Sequence, residues 1–341
     1  MENRNLSEKE KRWLSFDLLR IVAAVMVVLL HVAASLWSTV PPDSTEWKAM
    51  NFYNSLTRSA VPLFFMLSGA FILNKDISIK LLYFKKVVSL CMIYVTWSFL
   101  YAVDSIGLVN ISSYGIKNLI DVIGESYFHL WFIPVLIGIY MLQPVLRAIV
   151  DYKDGKYIRY YLVLFFVFSI MRNTILLFLS ESISKSVVNR IPVELMSYCG
   201  YTILGYFLEH KVQTKMKIKY CLLSFAFAVI CTITISTVES IKQGVPISKW
   251  YDNFCIITFI EAISLFLVFK KISLKCSCIT QGIIRENYRL SVKRKIDIKA
   301  ALARQNLVFR WLVYYGMILT VLIFGIYGPE YDATAFIYFQ F

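Results

Sequence analysis

Apolar residues in this chain come in long runs separated by short polar stretches. A membrane-spanning helix needs about 20 mostly apolar residues. Runs at roughly 13–37, 58–74, 87–108, 128–149, 159–180, 191–209, 219–238, 253–270 and 306–327 meet or approach that length. The second and eighth are short. Open strand edges are not viable in hydrocarbon, where only internally bonded backbone survives, so these runs predict helices. The expected fold is an all-α, polytopic integral membrane helix bundle of about nine spans. Residues 271–305 are polar and basic, and every earlier polar stretch is shorter. That shift predicts two units, 1–285 and 286–341.

Composition agrees with the pattern. The chain is 58% hydrophobic and 17% charged, with a mean hydropathy of +0.62. Soluble domains run to about 25% charged residues. Phe and Tyr number 25 and 22, and many sit near the ends of apolar runs, as in interfacial aromatic belts.

A net charge of +14 raises the question of nucleic acid. Its placement answers that. With the N-terminus inside, 28 of the 36 Lys and Arg residues fall on cytoplasmic stretches, the asymmetry expected of a membrane protein beside anionic lipid headgroups. The C-terminus then lies outside. No nucleic-acid partner is implied. The seven cysteines are scattered; Cys276 and Cys278 form a lone C-x-C with no nearby His, so no metal site is expected.

The first run, "SFDLLRIVAAVMVVLLHVAASLW", carries Asp17, Arg20 and His31. Arg20 and His31 stand about 20° apart around a helix and ~16 Å apart along it. Asp17 is placed to pair with Arg20 one turn away. Ionisable groups in a span are expensive and face a bundle interior or an aqueous cavity. Two readings fit the spacing: a topogenic Asp17–Arg20 pair with His31 in a polar helix contact, or a catalytic stripe. In the second, neutral imidazole deprotonates an incoming hydroxyl. Arginine then holds a phosphate or a developing oxyanion.

Arg20-x10-His31 within "FDLLRIVAAVMVVLLHV" resembles the signature of the family-3 membrane acyltransferases. "VPLFFMLSGAFIL" (61–73), "HLWFIPVLIGIYMLQPVLR" (129–147) and "YFLEHK" (206–211) are similar to further segments of that family, in the same order. The resemblance covers about residues 10–275 and implies a multi-pass enzyme of the bacterial plasma membrane. It implies transfer of an acyl group, most often acetyl, from acetyl-CoA or another acyl-CoA to a hydroxyl of a cell-envelope glycan. On this resemblance His31 is the catalytic base and Arg20 orients the donor phosphate or structural charge, with Asp17 beside it. Lys85 and Lys86 stand where the family often has Arg, able to attract CoA phosphates or simply to serve as inner-face charge. His129 fits a donor or acceptor contact, or an interfacial partner of Trp131. His210, ending a helix, fits a structural cation on the macrodipole. The family's closing helices are not found after Leu274.

The end of the chain, Phe336-Ile337-Tyr338-Phe339-Gln340-Phe341, follows a basic flank and one span. It resembles the short DltX membrane proteins of teichoic-acid D-alanylation. That resemblance implies Tyr338 as a hydroxyl relay for D-alanine, partnered by a membrane-bound O-acyltransferase; phenols can carry acyl groups in this way. A tyrosine at the membrane interface is the other reading.

Overall fold

The computed structural model describes residues 8–74, 78–106, 128–152, 155–178, 197–213 and 216–275, with the backbone alone at 8–14, 85, 103–106, 128–129 and 273–275. The boundary at 285, the run 306–327 and Tyr338 lie outside the described residues.

Every regular element among the described residues is helical, and the expected helical membrane protein is found. The main helices are α1 (Glu8–Ala34), α2 (Thr45–Thr57), α3 (Ala60–Ile72), α4 (Val88–Ile106), α5 (Phe132–Asp151), α6 (Lys156–Phe165), α7 (Ser197–His210), α8 (Ile218–Gln243) and α9 (Ile256–Lys275). Two single π-helical turns interrupt the regular pattern. Tyr83–Val87 leads into α4, and Phe166–Met171 carries α6 on into Arg172–Leu176. Such turns recur at functional sites and at bends. Among the described residues five helical stretches are long and apolar enough to cross a membrane: Ser15–Ala34, Thr45–Ile72, Phe132–Asp151, Lys156–Leu176 and Ile218–Gln243.

Thr45–Ile72 corrects the expected second span. The run 58–74 was short because its first half, α2, is polar in sequence: Asn51, Asn54, Ser55 and Thr57 are all buried. These side chains face protein rather than lipid, so a hydropathy window passes over the helix that carries them. Ser44 caps α2, its hydroxyl accepting from the Trp47 N–H at 3.1 Å, a preferred N-cap geometry.

Helix α1 shows both solvents at once. Phe16, Leu19, Ala23, Met26 and Leu30 recur at helical spacing and are buried in the core. Leu18, Ile21, Val25, Val28 and Val32 are as apolar yet exposed. A continuous exposed apolar stripe is a liability in water; on a spanning helix it is the lipid face.

The core is centred on α7, which is buried nearly all round and packs most intimately on α3. A Cβ on Gly69 would overlap the Thr202 carbonyl, and one on Gly205 the Met66 carbonyl. Small residues let helix backbones approach this closely in membrane proteins, where lipid is as apolar as the side chains and packing carries association. Around this pair, α1 packs on α2, α3 and α9, and α8 packs on α9 and α2.

One end of α7 is held by ions. Lys270 of α9 is buried and donates to the carbonyls of Leu208, Glu209 and Val212, the last two at 2.7 and 3.0 Å. The Glu209 carboxylate stands 3.7 Å away. Terminal helix carbonyls lack partners within their own helix, and an ammonium there also meets the negative end of the macrodipole. His210 has the structural place expected of it: its Nε2 lies 3.0 Å from the Ala70 carbonyl of α3.

Candidate acyl-transfer site

The charged stripe of α1 folds as the spacing predicts at its first end. Arg20 Nη1 donates to Asp17 Oδ1 at 2.7 Å, one turn away. The pair is substantially exposed, yet Arg20 is not loose: its guanidinium lies 4.2 Å from the centre of the Phe71 ring of α3. Phe71 in turn packs edge-on against Phe16, centroids 5.6 Å apart. A planar cation on an aromatic face keeps its edges available to an anion. His31 sits in the last turn of the same helix, half-buried.

The four matching segments, far apart in sequence, meet in space. Phe65 of the second packs on Phe132 of the third at 4.9 Å between centroids. Gln143 of the third donates to the Ile72 carbonyl of the second at 3.1 Å. His210 of the fourth reaches Ala70 of the second. Lys86 is exposed on the π turn before α4, and Lys85 occupies the same turn. His129 lies in the short 3-10 helix Phe128–Trp131 at the start of α5. The side chains of Lys85 and His129, like Tyr338, lie outside the described residues.

Residues 13–276 match the acyltransferase domain of acyltransferase family 3. The chain belongs to this family. It is a membrane acyltransferase. No curated protein and no solved structure gives a match.

Sequence reasoning missed a second polar cluster, at the end of the bundle where α1 finishes. There Trp37, Trp47 and Tyr251 form a small core, with Trp37 5.4 Å from Tyr251 and 5.6 Å from Trp47. Beneath it lie Asn51, Asn54, Ser55 and Arg58 of the α2 stretch, all buried. Asn51 Nδ2 donates to Thr237 Oγ1 of α8 at 2.8 Å, and its Oδ1 accepts from the Tyr251 hydroxyl. Ser236 Oγ donates to that same hydroxyl at 3.2 Å. Arg58, only 2% exposed, donates from Nη2 to Asn54 Oδ1. Its guanidinium lies 4.1 Å from the centre of the Tyr251 ring.

Glu261 of α9 is fully buried, with its Oε1 accepting from Thr232 Oγ1 at 3.3 Å and the Arg58 charge acting on it. The signal for this cluster was present as polar residues at 51, 54, 55 and 58, the i, i+3, i+4, i+7 stripe of a helix. Beyond α8, burial pushes the Asp252 carboxyl above its ordinary 3.8, against the pull of the Phe254 N–H that it accepts at 2.5 Å.

Of the other ionisable residues within apolar runs, Arg172 is half-buried and donates to Asn173 Oδ1 at 3.0 Å. Among the described residues no group of three or more His, Cys, Asp and Glu could hold a metal.

Proposed function

We propose that this acyltransferase moves an acyl group, acetyl in the first instance, from acyl-CoA on the cytoplasmic side to a hydroxyl of a cell-envelope glycan on the other. The observation that carries the reading is the α1 stripe: Arg20 held by Asp17 and Phe71 near one end, His31 in the last turn near the other. Charge asymmetry supports the N-terminus inside, which puts Arg20 near the donor side and His31 towards the acceptor side. In this orientation Arg20, with its guanidinium edge open, binds a donor phosphate; Lys85 and Lys86 add positive charge on the same side, and Asp17 keeps Arg20 oriented.

His31 is the general base. The acceptor oxygen attacks the thioester carbonyl carbon as its proton passes to the imidazole. The carbonyl electron pair then returns, the C–S bond breaks, and the thiolate recovers the proton. His129, at the start of α5, contributes to the acceptor side.

The test is made on envelope material from cells producing the chain, in a background lacking envelope O-acylation. Mild base releases esters, and acetate is quantified. Acetate above an empty-vector control, lost in His31→Gln by roughly 10²–10⁴-fold as expected for removal of a general base, supports the reading. Acetate that persists in His31→Gln refutes His31 as the base.

The closing Phe336–Phe341 motif favours one second reading, a relay of D-alanine through Tyr338 to lipoteichoic acid with a membrane-bound O-acyltransferase partner. It is marked by D-alanine release that depends on Tyr338 and not on His31.

A further inference from the structure

The buried cluster around Arg58 has no part in the reading above, and its chemistry is unusual for a structural contact. A guanidinium inside a membrane protein is expensive and marks a functional place by default. Here it is held by the amide oxygen of Asn54 and by the face of Tyr251, with the buried Glu261 carboxyl near enough for the two charges to interact. Tyr251 is itself fixed by Asn51 and Ser236, so the guanidinium is oriented by a network of three elements: α2, α8 and the Lys249–Tyr251 turn.

The second observation is independent of Arg58. Asn54 Nδ2 is buried with no hydrogen-bond partner among the described residues, and so is the indole N–H of Trp47, whereas the Trp37 indole bonds to Tyr251. Buried polar groups are nearly always satisfied, and each exception asks for an occupant. Ser59 Oγ and Glu261 Oε2 are unpartnered too, but of these groups Asn54 is the one bonded to Arg58, and its N–H donor beside a guanidinium suits an anionic oxygen rather than a cation.

Depth places this cluster at the level of His31. Arg20 and Phe71 touch, which aligns α1 with α3. From Arg20 to His31 is ~16 Å of helix rise, and from Phe71 back to Arg58 is ~20 Å in the same direction. Trp37, three residues past the end of α1, touches Tyr251. Arg58 and His31 therefore stand at about the same level of the bundle, on packed neighbouring helices.

We propose that Arg58 and Asn54 are the oxyanion-binding residues of the acyl-transfer site. This rests on the reading of His31 as base. When the acceptor hydroxyl attacks the thioester carbon and His31 takes its proton, the carbonyl electron pair moves onto oxygen. Arg58 and Asn54 Nδ2 donate to that oxygen until the pair returns and the C–S bond breaks. Preset donors in a water-poor site stabilise this charge far more than mobile water does. Tyr251 and Asn51 are positioning residues for Arg58.

The decisive experiment uses the full chain in lipid nanodiscs, with acetyl-CoA as donor and base-deacylated envelope glycan as acceptor. Arg58→Lys, Asn54→Asp, Asn54→Ala and His31→Gln are compared with wild type for kcat, KM and thermal midpoint. Asn54→Asp keeps the shape and places a carboxylate against the guanidinium, so it holds or raises the midpoint while occupying the anion site with its own charge. A purely structural cluster tolerates that change. Expected are losses in kcat of about 10²–10³-fold for Arg58→Lys and Asn54→Asp, with KM for acetyl-CoA little changed. Folded Arg58→Lys and Asn54→Asp proteins turning over at wild-type rates overturn the proposal.

Should both lose their folded midpoint, Asn54→Ala decides: a folded protein with wild-type kcat refutes the oxyanion role, and a loss of tenfold or more supports it. A His31→Gln protein that keeps its turnover fails the base reading by itself. Losses confined to the Arg58 and Asn54 variants then retain the anion site without that base.

Discussion

The two arginines at opposite ends of α1's span, Arg20 and Arg58, solve one problem in different ways. Each lies about 4 Å from the centre of an aromatic ring, Phe71 for the first and Tyr251 for the second. Arg20 is half open to solvent and takes an equally open carboxylate as its partner. Arg58 is buried, takes an amide and a phenol ring, and interacts with the charge of the buried Glu261 carboxyl. An exposed pair costs little to make and little to break, so Arg20 can exchange Asp17 for an incoming phosphate. Buried charge is expensive to place, so Arg58 is held in one geometry by a network, with its Nε left without a hydrogen-bond partner among the described residues. The first arrangement suits capture of a ligand that comes and goes, the second a charge that appears for an instant in a fixed place.

The difference can be broken from the structural side first. Lys270 is a second buried cation, engaged by the carbonyls of Glu209 and Val212 and by the Glu209 carboxylate. Lys270→Met leaves the Glu209 carboxylate buried without its ammonium and the α7 carbonyls without their donor. Removing one partner of a buried pair costs about 3–5 kcal/mol. A large fall in thermal midpoint in detergent is expected, with donor KM unchanged in whatever protein remains folded. A midpoint equal to wild type shows that burial alone does not distinguish the two classes of cation.

A smaller effect is expected at Arg20. Arg20→Gln removes a charge-assisted bond worth about 1.5–3 kcal/mol, so KM for acetyl-CoA rises by roughly 10- to 100-fold while kcat changes little. Asp17→Asn, which removes only an exposed pair, shifts the midpoint by less than about 1 kcal/mol of stability. A fall in kcat with unchanged KM in Arg20→Gln moves Arg20 from donor capture to the chemical step.

The smallest effect belongs to Asp252. Burial raises its carboxyl pKa in the folded protein above 3.8. The folded state therefore binds its proton more readily, and the charged form costs stability once pH passes the folded pKa. Asp252→Asn keeps an acceptor for the Phe254 N–H and removes that cost. Its midpoint is expected to exceed wild type slightly at neutral pH, and the gap to close as pH falls towards 3.8. A gap that widens on acidification reverses the sign of this argument.

Much of the fold was legible along the chain. Apolar run length carried the helical class, since backbone in lipid has to satisfy its own hydrogen bonds. Helical periodicity carried the Asp17–Arg20 pair, found at 2.7 Å. Family resemblance, on motifs at 16–32, 61–73 and 129–147, carried the acyltransferase assignment, and the domain match over 13–276 agrees with it.

Helix α2 was not legible, for a physical reason. Its buried face is polar, and a hydropathy reading assumes that what is buried is apolar. In a bundle with a polar interior that assumption inverts: Asn51 and Asn54 read as loop and fold as core, and Arg58, which opens the run 58–74, is buried with them.

The sequence by itself determined what each residue type could do and which local pairs form, because helix geometry is nearly the same everywhere. It placed His31 and Arg20 on one stripe without reference to any other helix. Only the tertiary structure decided which distant residues share that stripe's surroundings. Arg58 reaches Tyr251 across nearly two hundred residues of chain, and Gly69 and Gly205 bring α3 and α7 close enough to close the core. Such meetings depend on packing between whole helices, and no local pattern along the chain encodes them.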